Sequence, residues 1–105
     1  MRILIKKDVD EAGRWVADHV IKKIKDFKPT PAKPFVLGLP TGSSPIPTYR
    51  ELIRRHKAGD ISFKNVLTFN MDEYVGIPES HSQSYHFFMY AIFIITKVNF
   101  SKNKI

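Results

Sequence analysis

The chain has 105 residues, enough for one domain at most, with 43% hydrophobic and 26% charged residues, ordinary proportions for a soluble globular protein. It contains no cysteine, which excludes disulfides and thiolate metal sites. The net charge of +7 raises the question of nucleic acid, but Lys22, Lys23, Lys25, Lys28 and Arg54, Arg55, Lys57 gather where two helices are expected to end, and cations there complement the helix dipole.

The chain start, Met1 to Asp8, has only three consecutive apolar residues before charge returns, too few for a secretory signal. Arg2–Ile5 reads as a short buried strand. Asp8 then offers a helix N-cap, with Glu11 three residues later completing a capping box. Ala12, Trp15, Val16, His19, Val20, Ile24 and Phe27 recur at three- and four-residue steps and predict one apolar helix face. Lys28-Pro29-Thr30-Pro31 ends that helix, because proline cannot continue the hydrogen-bond ladder.

Phe35–Leu39 is the next predicted strand, apolar without alternation, as expected when helices cover both faces. Pro40-Thr41-Gly42-Ser43-Ser44 forms a turn, and a second helix is expected from Pro45, with Ser44 as N-cap. Ile46, Tyr49, Leu52, Ile53 and His56 supply its inner face and Gly59 its stop. Asn65–Phe69 is a third predicted strand, followed by a loop from Asn70 to His81 and a third helix from about Ser82. The longest apolar run, Phe87–Ile95, is nine residues, whereas a membrane-crossing helix needs about 20. A cytoplasmic protein without a membrane partner is expected.

Strand and helix alternate three times, and such crossovers give parallel pairing. The expected fold is α/β, a three-layer Rossmann-like parallel sheet with flanking helices. The Gly-x-Gly-x-x-Gly fingerprint is absent, so nothing points to a dinucleotide.

Two loops carry chemistry. In Leu39-Pro-Thr-Gly-Ser-Ser-Pro45, Gly42 permits close backbone approach, and the hydroxyls of Thr41, Ser43 and Ser44 can donate to phosphate oxygens beside a helix N-terminus. The same composition serves an ordinary strand-to-helix turn with a serine cap. Thr68-Phe-Asn-Met-Asp-Glu-Tyr-Val-Gly76 puts two acids beyond the next strand end. Asp72 there, flanked by Phe69, Met71 and Tyr74, could serve as a desolvated proton shuttle, although an arbitrary Asp-Glu pair is more often a pair of solvated loop acids or a turn cap. Neither loop decides alone.

Read together, Phe35-Val-Leu-Gly-Leu-Pro-Thr-Gly-Ser-Ser-Pro45 and Thr68–Gly76 resemble the two N-terminal signatures of the glucosamine-6-phosphate deaminase family. Phe27-Lys-Pro29, Tyr49–Lys64 and His81-Ser-Gln-Ser-Tyr85 are similar to the same family, so the resemblance covers roughly residues 1–89. It implies conversion of glucosamine 6-phosphate and water into fructose 6-phosphate and ammonia, with neither metal nor organic cofactor. By resemblance, Asp72 is the general base that moves a proton between C2 and C1 of the opened sugar. Thr41, Gly42, Ser43 and Ser44 hold the phosphate, and Glu73, Tyr74 and Tyr85 lie near the substrate. The Asn70-Met-Asp-Glu-Tyr74 run favours a deaminase over a 6-phosphogluconolactonase-like protein. A small basic nucleic-acid binder would leave both loops unexplained.

The resemblance also implies what is not here. Residues 90–105 form a divergent tail, and the chain stands as the N-terminal part of one incomplete sugar-phosphate isomerase/deaminase domain. The family's ring-opening aspartate, histidine and glutamate, its phosphate-gripping arginine and lysine, and much of its homo-oligomer interface lie beyond this sequence. His19, His56, His81 and His86 fit core, boundary or capping roles rather than the missing one. The 105 residues alone are expected to be marginally stable, to associate through uncovered apolar faces, and to release no ammonia. The alternative is a sugar-phosphate-binding fragment without catalysis.

Overall fold

The computed structural model describes residues 3, 5–93 and 102–104. Helix α1 runs Val9–Phe27, strand β1 Phe35–Leu39, helix α2 Ile46–Lys57, strand β2 Val66–Asn70, helix α3 Tyr85–Phe93 and strand β3 Lys102–Lys104. The strands form one parallel sheet in the order β1-β2-β3. The fold is α/β and Rossmann-like, and it is incomplete, since one sheet face is partly open.

Helix α1 begins as its sequence dictates: the Asp8 carboxylate accepts from the Glu11 backbone N–H at 2.8 Å. It ends at Lys28, which adopts a left-handed φ of 53° and donates its N–H to the Ile24 carbonyl at 3.2 Å. Its buried face matches the expected one at Ile24, with Val20 packed against the core, and departs from it elsewhere. Gly13, Ala17, Ile21 and Ile24 are buried, whereas Val16 and Phe27 are each 41% exposed and His19 stacks on Trp15 outside the core. The large apolar residues misled because the contact with α2 selects small ones. A Cβ on Gly13 would lie 2.7 Å from Pro47 Cβ and 2.8 Å from the backbone of Pro47 and Thr48. Only glycine lets the two helices approach this closely.

The core joins Ala17, Ile21 and Ile24 of α1 to Tyr49 and Leu52 of α2, Leu39 of β1, Val66 of β2 and Met89 of α3. Full burial of each large aliphatic side chain contributes about 1.5–3 kcal/mol. Phe35 and Leu37 pack against this cluster. Val36, on the opposite face of β1, is 58% exposed. The expectation that helices cover both faces is therefore corrected: among the described residues, β1 alternates between a packed and an open face.

Four boundaries also moved. Of the strand expected at Arg2–Ile5, Arg2 and Leu4 lie outside the described residues, while Ile3 and Ile5 are exposed and belong to no strand. Asn65 does not start β2, because it adopts a left-handed φ of 64°, a conformation asparagine tolerates, and its side-chain amide donates to the Pro29 carbonyl. Ser44 does not cap α2; Pro45 occupies the cap position without a side-chain hydrogen bond. Helix α3 starts at Tyr85, after turns in which His81 donates to Pro78 and Ser84 to His81. Tyr90–Phe93 continue that helix and Lys102–Lys104 form β3, while residues 94–101 and 105 lie outside the described residues.

Arg54, Arg55 and Lys57 lie in the last turn of α2, and two of these cations are also engaged within the fold. Arg54 grips the buried Glu51 carboxylate with two bonds of 2.7 and 2.6 Å, and Arg55 pairs with Asp18 of α1 and with Asp60 at 2.9 Å. No described helix is long and apolar enough to cross a membrane.

Candidate functional site

Strands β1 and β2 end side by side, with Leu39 in register with Asn70. Both functional loops therefore leave the same sheet edge: Thr41 and Asp72 each lie two residues beyond that last pair. This carboxyl edge is where open α/β sheets bind ligands.

The first loop is held from below. The Tyr49 hydroxyl, rising from the buried face of α2, donates to the Pro40 carbonyl, and burial pushes that phenol well above its ordinary pKa. The sequence pattern identified Tyr49 only as an inner-face residue; a hydroxyl on such a face was the available signal, since a buried tyrosine needs a partner. Gly42 adopts a φ of 99°, and a Cβ there would meet nothing within 4 Å. Its constraint is conformational rather than steric.

Gly42, Ser43 and Ser44 are exposed and Thr41 is half-buried, so the loop is open to solvent. Helix α2 adds less than expected. Ile46 donates its N–H to Ser43 O at 3.3 Å, and Pro47 has none to give. An anion here would be held chiefly by the loop itself, with the hydroxyl of Ser44 released from capping. No acidic residue stands in the first turn of α2 to oppose it.

The second loop is fastened to α3 through Glu73. Its carboxylate accepts from the backbone N–H of Tyr85 at 2.9 Å, of His86 at 3.0 Å and of Tyr74 at 3.0 Å. Ser84 Oγ takes the next donor, Phe87 N–H, at 2.9 Å, while itself donating to Glu79 O at 2.8 Å. The first turn of α3 is thus satisfied by two side chains, one of them from a loop more than ten residues upstream. Glu73, expected to lie near substrate, has its oxygens committed to backbone N–H groups.

Partial desolvation pushes the Glu73 carboxyl up, and the N–H groups of Tyr85, His86 and Tyr74 outweigh it, holding it below the usual carboxylate range. A group whose folded pKa is depressed contributes stability above its unfolded pKa and loses it as pH falls through the folded one. Protection of the Tyr85 and His86 amides is therefore expected to be constant above the ordinary glutamate pKa and to collapse as acid titrates Glu73. In Glu73→Ala that pH step should vanish; hydrogen exchange followed by NMR reads both.

Asp72 is exposed, as are Met71 and Tyr74 at 71% and 54%. The desolvated setting expected for it is absent among the described residues. Tyr74 and Tyr85 lie with ring centroids 5.1 Å apart and hydroxyls 3.4 Å apart. The Tyr85 phenol is held above its ordinary pKa first by its bond to Tyr74, and further by the nearby charges of Asp72 and Glu73. Asp72, Glu73, Tyr74 and Tyr85 thus form one cluster.

The histidines hold other posts. His81 Nδ1 accepts from Gln83 N–H, His56 Nδ1 lies 3.1 Å from Ile61 O, and His86 stacks on Tyr90. No described group of three or more acids and histidines is placed to hold a metal ion.

No family model matches the chain. Known proteins do. The chain is 60% identical over 89 residues to a glucosamine-6-phosphate deaminase of Treponema denticola, covering 85% of this chain and 33% of that one. It is 56% identical over 93 residues to the deaminases of Serratia proteamaculans and Borreliella afzelii, covering 89% of this chain and 35% of each of those. The solved structure of a monomeric glucosamine-6-phosphate deaminase of the NagB superfamily superposes with a TM-score of 0.81 at 34% identity, over 97% of this chain and 39% of that one. The chain spans about a third of the length of the curated relatives it matches.

Proposed function

We propose that this chain, a homologue of about a third of a glucosamine-6-phosphate deaminase, carries the phosphate loop and the proton-shuttling carboxylate of that reaction. The reaction converts glucosamine 6-phosphate and water into fructose 6-phosphate and ammonia, a step of cytoplasmic amino-sugar breakdown. The observation that carries the proposal is the register Leu39↔Asn70, which sets the two loops side by side on one sheet edge.

The residues divide the work by chemistry. Thr41, Gly42, Ser43 and Ser44 receive the dianionic phosphate through hydroxyl and backbone donors. With that end fixed, the opened sugar chain reaches the neighbouring loop in one orientation. Asp72 takes the proton from C2 and returns it to C1, which requires one carboxylate within hydrogen-bond reach of both carbons. Loss of the C2 proton, with O1 protonated, leaves an enolamine; return of the proton to C1 is its tautomerisation to the imine at C2, and water adds to that imine and releases the nitrogen as ammonia. Tyr74 and Tyr85 border the carboxylate; Glu73 supports the loop by holding α3. Ring opening and neutralisation of the phosphate fall to residues outside this sequence, and the oligomeric state of the complete enzyme is a property of those residues as well.

The test is a chimera in which the matching 89-residue segment of the Treponema denticola enzyme is replaced by that of this chain. Ammonia release from glucosamine 6-phosphate is expected. A folded chimera that binds the sugar phosphate without turnover would favour the second reading, a sugar-phosphate-binding fragment without catalysis. A folded chimera that does neither sinks both.

A further inference from the structure

Asn70 closes the central strand of the sheet and is 6% exposed, yet neither its side-chain nitrogen nor its side-chain oxygen has a hydrogen-bond partner among the described residues. Buried amides are almost always paired, because leaving one unpaired forfeits its hydration without return. An apolar residue of similar size would fill the position without that cost. The amide therefore requires an explanation that core packing does not supply.

Its position supplies one. Asn70 is the register partner of Leu39, the residue before the phosphate loop, and stands two residues ahead of Asp72. The Pro40 carbonyl of the loop is already taken by Tyr49, and Ser43 O by Ile46. A primary amide offers two donors and an acceptor, which suits the N–H and carbonyl groups of a backbone turn.

We propose that Asn70 is a positioning residue: its amide pairs with the backbone of the loop at Thr41 and Gly42 when a sugar phosphate is held there. This rests on the sugar-phosphate reading of that loop. The unpaired amide leaves the empty loop free to adjust, and ligand binding completes the pairing. Asn70 would thus couple occupancy of the phosphate loop to the end of the strand from which Asp72 departs.

The ¹⁵N-labelled chimera described above, in which the Treponema denticola residues beyond the matched segment complete the enzyme, titrated with glucosamine 6-phosphate and separately with inorganic phosphate, tests this. Backbone amides of Thr41–Ser44 should shift, and the Asn70 side-chain NH₂ should shift with them and become protected from exchange. Loop amides that move while Asn70 stays unchanged overturn this proposal alone. Loop amides that do not move overturn the sugar-phosphate reading and this proposal with it.

Asn70→Leu gives a second readout of opposite sign. Its urea midpoint is expected to equal or exceed that of the wild type, while affinity for glucosamine 6-phosphate falls about tenfold, the equivalent of one lost hydrogen bond. A purely structural amide would give a weaker fold and unchanged affinity.

Discussion

Gly13→Ala is expected to destabilise the chain by about 1–3 kcal/mol, against the usual sign of that exchange within a helix. On an open helix surface, alanine gains about 1 kcal/mol over glycine. Here the added methyl would meet Pro47 Cβ at 2.7 Å and the Pro47 and Thr48 backbone at 2.8 Å. Neither neighbour is the flexible end of a long side chain, so α1 and α2 must separate. In a domain of this size each 1 kcal/mol lowers the melting temperature by about 4–8 °C. Val16→Ala, at a position 41% exposed on the same helix, serves as the control and should change stability by no more than about 0.5 kcal/mol. Urea unfolding of both variants decides it. A Gly13→Ala midpoint at or above wild type would mean the helices are not in the close contact described. Pro47 lies in the first turn of α2, directly after the loop proposed to hold the phosphate, so on that proposal the same substitution should also weaken sugar-phosphate binding.

Asp72→Asn, made in the active chimera, is expected to lower kcat by about 10²- to 10⁴-fold, the span that a positioned general base contributes. The amide preserves size and shape but accepts no proton. KM should change little, because the shuttle acts in the chemical step while the loop at residues 41–44 secures the phosphate. Ser43→Ala with Ser44→Ala should show the converse pattern, a raised KM. If Asp72→Asn retained kcat, the proton would have to move through another group, and the exposed Asp72 would revert to a solvated loop acid.

Much of this was legible before any coordinates. Phe35–Leu39 forms a strand over the span its apolar run predicts, and Asp8 caps α1 through Glu11 N–H, the Asp8 half of the capping box that the D-x-x-E spacing predicts. These are local outcomes, decided by residues a few positions apart. The two loop signatures were also readable, because strand-turn-helix order places every such turn on one sheet edge once the strands are parallel. Where the reading failed, the deciding partner was distant in sequence. The inner face of α1 was read from its large apolar residues, and the contact with Pro47 selected Gly13 and Ala17 instead.

Glu73 shows the same division. As a sequence feature it is one of two adjacent acids, with no mark to separate it from Asp72. The fold brings the N-terminus of α3 to it, three backbone donors converge on its carboxylate, and its neighbour is left exposed. Asn70 was likewise indistinguishable from a loop asparagine until the register with Leu39 buried it without a partner.

The sequence by itself determined the three helices, strands β1 and β2 with their parallel order, and the two loops, because periodicity, caps and turn chemistry act within a few residues; it anticipated neither the absence of a strand at Ile3 and Ile5 nor β3. Only the tertiary structure decided which helix face is buried, which acid is tied down and which is free, and which amide lies buried and unpaired. Those outcomes depend on pairs such as Gly13–Pro47, Glu73–Tyr85 and Leu39–Asn70, whose members are brought together only when the chain folds.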